Sequence, residues 1–249
     1  MQGAIALHVS FSYPGAQRSG SVLEDICISV KPGEFIAVVG PTGVGKTTFV
    51  NLIPRFYDPV EGRIFIDGKE LRTWDLGSLR QHIGVVLQNN ILFSGTVRDN
   101  LRWGSPTATD EELLEAARDA QAHEHPSSAD SWTVIEQGGT NVSGGQRQHL
   151  CIARALLKKP CILILDDSRL LSILSRNAVF SIHFIKIPEH HHTAGSAAIS
   201  SVQNADRIIV LDGCRICAVG THAELLQTAV PSVYDSQQEG SEADGGRRQ

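Results

Sequence analysis

The feature that most narrows what this chain can fold into is Phe35-Ile36-Ala37-Val38-Val39 followed at once by Gly40-Pro41-Thr42-Gly43-Val44-Gly45-Lys46-Thr47. An unbroken apolar run, with no polar residue at alternate positions, suits a parallel strand covered on both faces. The glycines at 40, 43 and 45 let backbone N–H groups turn inward around an anion with no Cβ in the way. Lys46 adds a point charge for the β- and γ-phosphates of a nucleotide, and the Thr47 hydroxyl suits Mg²⁺. A helix is expected from Lys46 to about Arg55, ended by Pro54 and Asp58-Pro59, and its positive N-terminal end favours the same phosphates. Strand, glycine loop and helix in this order place the chain in the α/β class.

At 249 residues and 41% hydrophobic, the sequence can bury a large core as one domain. Its net charge of −5 gives no broad basic footprint, so nucleic acid is not an expected partner. Five cysteines, Cys27, Cys151, Cys161, Cys214 and Cys217, are scattered and odd in number. Cys214 and Cys217 have the spacing of a redox or metal pair, but no second pair accompanies them, and two buried strand thiols are the expectation. No stretch has 18 consecutive apolar residues, and Met1 is not followed by a signal-peptide pattern. A membrane role is therefore expected to run through a partner.

Along the chain, Ile5 to Tyr13 and Val22 to Val30 alternate as antiparallel strands, closed by a turn at Lys31-Pro32-Gly33-Glu34. Gly62 to Asp67, Ile83 to Leu87 and Cys161 to Leu165 read as further strands, and Asp206 to Leu211 with Arg215 to Val219 as a final hairpin. Asp110 to Ala122 has the pattern of an exposed amphipathic helix capped by Thr109 or Asp110. Beyond Thr228, the Ser-, Gln-, Glu- and Gly-rich residues 229–249 are expected to be disordered. There is no internal repeat.

A second motif lies at Asn141-Val142-Ser143-Gly144-Gly145-Gln146-Arg147-Gln148. Ser143 is placed to cap a helix whose apolar stripe is Leu150, Ala153, Ala155 and Leu157. With both motifs in view, the sequence resembles the ATP-binding cassettes of ABC transporters, whose signature is Ser143-Gly144-Gly145-Gln146. The wording of Phe11-Ser12-Tyr13-Pro14-Gly15, Val86-Leu87-Gln88, Leu92-Phe93-Ser94-Gly95-Thr96-Val97, Ile152-Ala153-Arg154-Ala155-Leu156-Leu157 and Gly220-Thr221-His222-Ala223-Glu224-Leu225-Leu226 is similar to that of exporter-type cassettes. The likeness covers about 5–168 and 199–226.

That resemblance implies a P-loop NTPase core with a RecA-like mixed or parallel sheet, an N-terminal antiparallel β part and a helical signature subdomain at about 91–145. The ATPase domain would span 1–228. Tyr13 should stack on adenine, and residues 40–47 with Thr48 should hold the phosphates. Gln88 should reach Mg²⁺ and couple to the transporter. Asp166 ends an apolar strand, so its carboxylate emerges beside the phosphates and can hold Mg²⁺ through water. Ser143, Gly144, Gly145 and Gln146 open a helix whose donors suit a γ-phosphate, which in the family belongs to a second cassette paired head to tail. The cofactors implied are ATP and Mg²⁺. The partners implied are a second cassette and an exporter's transmembrane domain, with the chain peripheral on the cytoplasmic face of the membrane. A soluble cassette protein acting on DNA or ribosomes is the alternative, but no coiled-coil insertion, second cassette or basic arm is present. A nucleotide-binding pseudo-subunit differs from an ATPase only in turnover.

Two departures bear on that turnover. The family usually follows the strand aspartate with a glutamate that orients the attacking water; here it is Asp167, one methylene shorter, as in weakened sites of heterodimeric exporters. A misplacement of about 1 Å can cost roughly 10²-fold in rate. From Arg169 to Ser200 the family wording fails: Leu170, Leu171, Ser172 and Ile173 replace a Ser-Ala-Leu-Asp-like loop, and Ala197 stands where a histidine or glutamine is expected. Three consecutive histidines, His190 to His192, do not converge on one ion, so no metal site is expected there. The stretch reads instead as family sequence in a shifted frame. The codons TCC ACG TCT GCT GTC GAT encode Ser-Thr-Ser-Ala-Val-Asp; without the A of ACG they become Ser-Arg-Leu-Leu-Ser, which is 168–172. Likewise Gly195 to Ala198, written GGC TCA GCG GCA, holds Ala-Gln-Arg one base over. As written, the stretch should still supply a helix and a central strand, punctuated by Arg176, Asn177, His183 and Lys186, and the fold should be marginal.

Overall fold

The structure is a computed structural model that describes residues 1–15, 21–87, 89–122, 133–166 and 205–227, and the backbone of 182–186. Strands β1 (Ile5–Phe11), β2 (Leu23–Val30), β4 (Glu61–Ile66) and β5 (Lys69–Glu70) form an antiparallel sheet in the order β2-β1-β4-β5. A second sheet, ordered β12-β11-β3-β10-β9-β6, contains β3 (Phe35–Val39), β6 (Ile83–Val86), β9 (Ile162–Leu165), β10 (Ile182–Lys186), β11 (Arg207–Asp212) and β12 (Arg215–Gly220). Its neighbours pair in parallel except for the β11–β12 hairpin. β7 (Gly95–Thr96) and β8 (Val134–Ile135) form a small ribbon.

Period-two alternation divides the core between the two faces of the second sheet. Ile36, Val38, Ile162, Ile164, Ile209 and Leu211 join the inner residues of the antiparallel sheet and helix α1 (Lys46–Leu52) in one cluster. Ala37, Val39, Leu163, Leu165, Ile208 and Val210 pack instead against the helical layer. That layer holds α3 (Val97–Arg102), α4 (Asp110–Asp119) and α5 (Gly144–Leu156). The remaining α-helices among the described residues are α2 (Leu76–Gln81) and α6 (His222–Gln227).

Most expected elements form, with shorter ends. β1 stops at Phe11 rather than Tyr13, and α1 stops at Leu52, because Arg55 adopts a left-handed φ of 55° that ends the turn. The turn at 31–34 forms, with the Glu34 N–H bonded to the Lys31 carbonyl at 3.2 Å. It does not close the β1–β2 pair; it carries the chain from the antiparallel sheet into the central one. Cys214 and Cys217 are not buried strand thiols. Cys214 sits in the β11–β12 turn at φ 70°, and Cys217 is exposed on the edge strand. Residues 229–249, His190 to His192 and Ala197 lie outside the described residues. Of the stretch 169–200, only Ile182–Lys186 is described: it is the central strand, paired with β3 on one side and β9 on the other.

Candidate nucleotide site

The loop at 40–47 leaves the C-terminal end of β3, where the central sheet gathers its strand ends. It is pinned from two sides. A Cβ added to Gly40 would lie 2.1 Å from the Leu211 carbonyl oxygen at the end of β11. One added to Gly45 would lie 2.8 Å from both Leu23 Cδ2 and the Val22 carbonyl oxygen at the start of β2. Gly43, at φ 85°, faces open space, so there the backbone conformation rather than crowding calls for glycine. Gly45 is also the N-cap of α1 and supplies no side-chain cap to its N–H groups. Lys46 is buried, at 4% exposure, and its Nζ donates to the carbonyls of Gly40 and Pro41. The ammonium is thus held against the loop it serves.

The partners of this loop arrive along neighbouring strands. Ile185 of β10 pairs with Ala37 on one side and Leu165 on the other, so Leu165 stands level with Ala37 two strands away. At about 4.8 Å per strand, β9 runs roughly 10 Å from β3, and β3 extends two residues further, to Val39, before the loop begins. Asp166 follows Leu165, is buried at 9% exposure, and donates its N–H to the Val86 carbonyl at 2.9 Å. That bond draws the end of β6 beside Asp166; Gln88, two residues past Val86, and Asp167, directly after Asp166, lie outside the described residues. A Thr hydroxyl and an Asp carboxylate are oxygen ligands of the kind Mg²⁺ takes, with the rest of its shell left to phosphate and water. Among the described residues, no group of three or more His, Cys, Asp or Glu is clustered to hold a metal by itself.

Tyr13 lies beside the loop, and its hydroxyl shares a 2.8 Å hydrogen bond with Thr48 Oγ1. Sequence reasoning missed its neighbour Tyr57, whose ring meets that of Tyr13 edge-on; a lone tyrosine after a helix carries no signal of its own. Ser143 is the N-cap of α5, as expected, and forms a full capping box: the Gln146 N–H reaches Ser143 Oγ at 3.1 Å and Gln146 Oε1 accepts from the Ser143 N–H at 2.8 Å. Ser143, Gly144 and Gly145 are exposed, and an added Cβ at either glycine meets nothing within 4 Å. This motif heads a helix packed on the opposite face of the central sheet from α1.

A family model for ABC transporters matches residues 23–169. The chain belongs to the ABC transporter family. It is an ABC ATP-binding domain of mixed α/β fold, carrying the antiparallel N-terminal sheet and the phosphate-loop core. Staphylococcus aureus proteins that bear the name multidrug export ATP-binding/permease protein are 42% identical over 244 residues in strain NCTC 8325 / PS 47 and 41% identical in strain bovine RF122 / ET3-1. The match covers 95% of this cassette and 42% of each relative, so the chain spans about two-fifths of their length. The structure of a bacterial Atm1-family ABC exporter with ATP bound superposes with a TM-score of 0.78 at 30% identity, over 96% of this chain and 42% of that one. No helix among the described residues of the cassette is long and apolar enough to cross a membrane.

The helical layer of the cassette carries an exposed apolar patch. Leu87, Ile91, Phe93 and Trp103 are all exposed, and the rings of Phe93 and Trp103 lie 5.1 Å apart. Buried Asn100 fixes the loop beneath, accepting from the Phe93 N–H at 2.8 Å and donating to the carbonyls of Phe93 and Thr96 at 2.8 and 3.1 Å. Arg154 of α5 donates to the Ile91 carbonyl from both terminal nitrogens at 3.3 Å, which ties the signature helix to the same loop. Burial pushes the Cys151 thiol up.

Proposed function

We propose that this chain is the ATP-driven engine of a membrane exporter. The observation that carries the reading is the loop at 40–47, pinned where only glycine fits and closed over Lys46, with Asp166 emerging at the same sheet edge. In this reading Tyr13 takes the adenine, Gly40, Pro41, Thr42, Gly43, Val44, Gly45, Lys46, Thr47 and Thr48 take the phosphates, and Thr47, Asp166 and Gln88 hold Mg²⁺. Bound Mg²⁺ would neutralise charge on the phosphate oxygens and orient them for cleavage. Asp167 would orient the attacking water, and its short side chain makes intrinsic turnover weak.

Dimerisation completes the site. Ser143, Gly144 and Gly145 are open to solvent and Gln146 is half-buried beside them, on the face of the sheet opposite α1, which supports their use on the triphosphate of a second cassette rather than on the chain's own. The short Asp167 favours a heterodimer in which this signature completes a competent site on the partner. The patch of Leu87, Ile91, Phe93 and Trp103 suits the exporter's transmembrane domain, which would hold the chain at the cytoplasmic face of the membrane. The ATPase domain would end near residue 228.

Calorimetry tests the core of this proposal. The intact chain should take up Mg·ATP, and Lys46→Ala should lose it; wild-type protein that folds cooperatively yet gives no heat with Mg·ATP refutes the reading. Phosphate release should be slow for the chain alone and rise on mixing with a complementary cassette that carries a glutamate at the position of Asp167.

A further inference from the structure

Tyr13 stands two residues past the end of β1 and is held there from three sides. Its hydroxyl shares the 2.8 Å bond with Thr48 Oγ1. The Phe11 ring meets it edge-on, with centroids 5.0 Å apart and planes at 85°. The Tyr57 ring does the same at 5.1 Å and 89°. Perpendicular arrangements of this kind are one of the two favoured geometries of aromatic pairs, because ring edges are positive and ring faces negative. Tyr13 keeps 37% exposure, so the ring is anchored without being sealed off. Thr48 itself is buried at 4% exposure, in the first turn of α1, two residues after Lys46. The hydroxyl that steadies the ring therefore belongs to the helix that carries the phosphate loop.

We propose that Thr48 and Tyr57 are positioning residues for nucleobase recognition: Thr48 tethers the Tyr13 ring to the phosphate-loop helix, and Tyr57 sets its tilt. The proposal rests on the reading that the loop at 40–47 takes ATP. The covalent bonds of a nucleotide fix the span between its base and its phosphates. A base platform bonded to the phosphate helix presents that span ready-made, and the ring need not be immobilised when the ligand arrives. Cutting the tether leaves the stacking surface in place but lets it swing, so the contribution of the base to affinity falls while that of the phosphates stays. Discrimination between a nucleotide and a bare polyphosphate is the quantity this device controls.

A double-mutant cycle read with two ligands tests it. The dissociation constants of Mg·ATP and of inorganic Mg·tripolyphosphate are measured by calorimetry on the full chain for wild type, Tyr13→Phe, Thr48→Val and the double variant. The readout is the ratio of the tripolyphosphate constant to the ATP constant. A direct contact between Thr48 and a phosphate affects both ligands and cancels in that ratio. Tyr13→Phe, which keeps the ring and removes one oxygen, should lower the ratio about three- to ten-fold, the worth of one neutral hydrogen bond. Thr48→Val should lower it equally, and the double variant no further. Tyr57→Leu should also lower it. An unchanged ratio in Tyr13→Phe, or losses that add in the double variant, overturns the tether. Wild-type chain that binds neither ligand overturns the ATP reading itself, an outcome distinct from tight binding with unaltered ratios.

Discussion

Gly40 has no room for even a methyl group, because the Leu211 carbonyl would sit 2.1 Å from it and the backbone φ is 145°. Gly40→Ala should therefore abolish Mg·ATP binding in a calorimetric titration while far-UV circular dichroism keeps the sheet signal, since the loop and not the strand must move. Gly43→Ala meets no atom within 4 Å but is strained at φ 85°, and a weaker loss is expected, on the order of 1 kcal/mol. Asp167→Glu, which restores the missing methylene, should raise phosphate release by up to about 10²-fold in a complemented dimer; no change would remove the short carboxylate as the cause of weak turnover. At this scale the sequence was readable where chemistry is local. Glycine spacing, the lysine and the signature serine needed no fold to be recognised. Tyr57 and Asn100 were not readable, because their roles arise only when segments distant in the chain meet.

Three helices of the upper layer begin with capping boxes: Thr96 with Asp99, Thr109 with Glu112, and Ser143 with Gln146. Each satisfies N–H groups that a helix start otherwise leaves open. Ser143→Ala should cost about 0.5–2 kcal/mol in chemical denaturation, so its effect on a dimer must be judged against Ser143→Thr, which keeps the cap. The Thr96 hydroxyl and N–H hold the Asp99 carboxyl below its usual value. A depressed carboxylate stabilises the fold above its unfolded pKa of about 3.9 and loses that contribution as pH falls through the lower folded value. The melting temperature should thus drop more steeply below pH 4 in wild type than in Asp99→Asn. The Thr-x-x-Asp spacing announces α3, yet that helix has only six residues, too few for a 3.6-residue period to register. α2 escapes detection for the same reason, although Asp75 caps it by accepting from the Ser78 N–H at 2.8 Å.

Across the whole molecule, the phosphate loop and Asp166 hang on β3 and β9, and in the sheet β10 lies between these two strands and pairs with both. The five residues of β10 come from the stretch 169–200, where the family wording is lost. The buried parallel strands follow from apolar runs, which is why they were legible; their order in the sheet was not, because pairing joins segments distant in the chain. A central strand was expected somewhere in the stretch, but not its position, since His183 and Lys186 interrupt the pattern such a strand normally shows. Restoring the family frame across 169–200 should raise the melting temperature, at about 2–4 °C for each kcal/mol recovered. A melting curve that does not move would dissociate this stretch from the marginal stability expected of the chain. Because β10 is the shim between the two halves of the pocket, a ligand gripped by both halves would act as a brace laid across it. Occupancy and sheet integrity then become one equilibrium, and saturating Mg·ATP should lift the unfolding temperature by an amount set by its concentration and its dissociation constant.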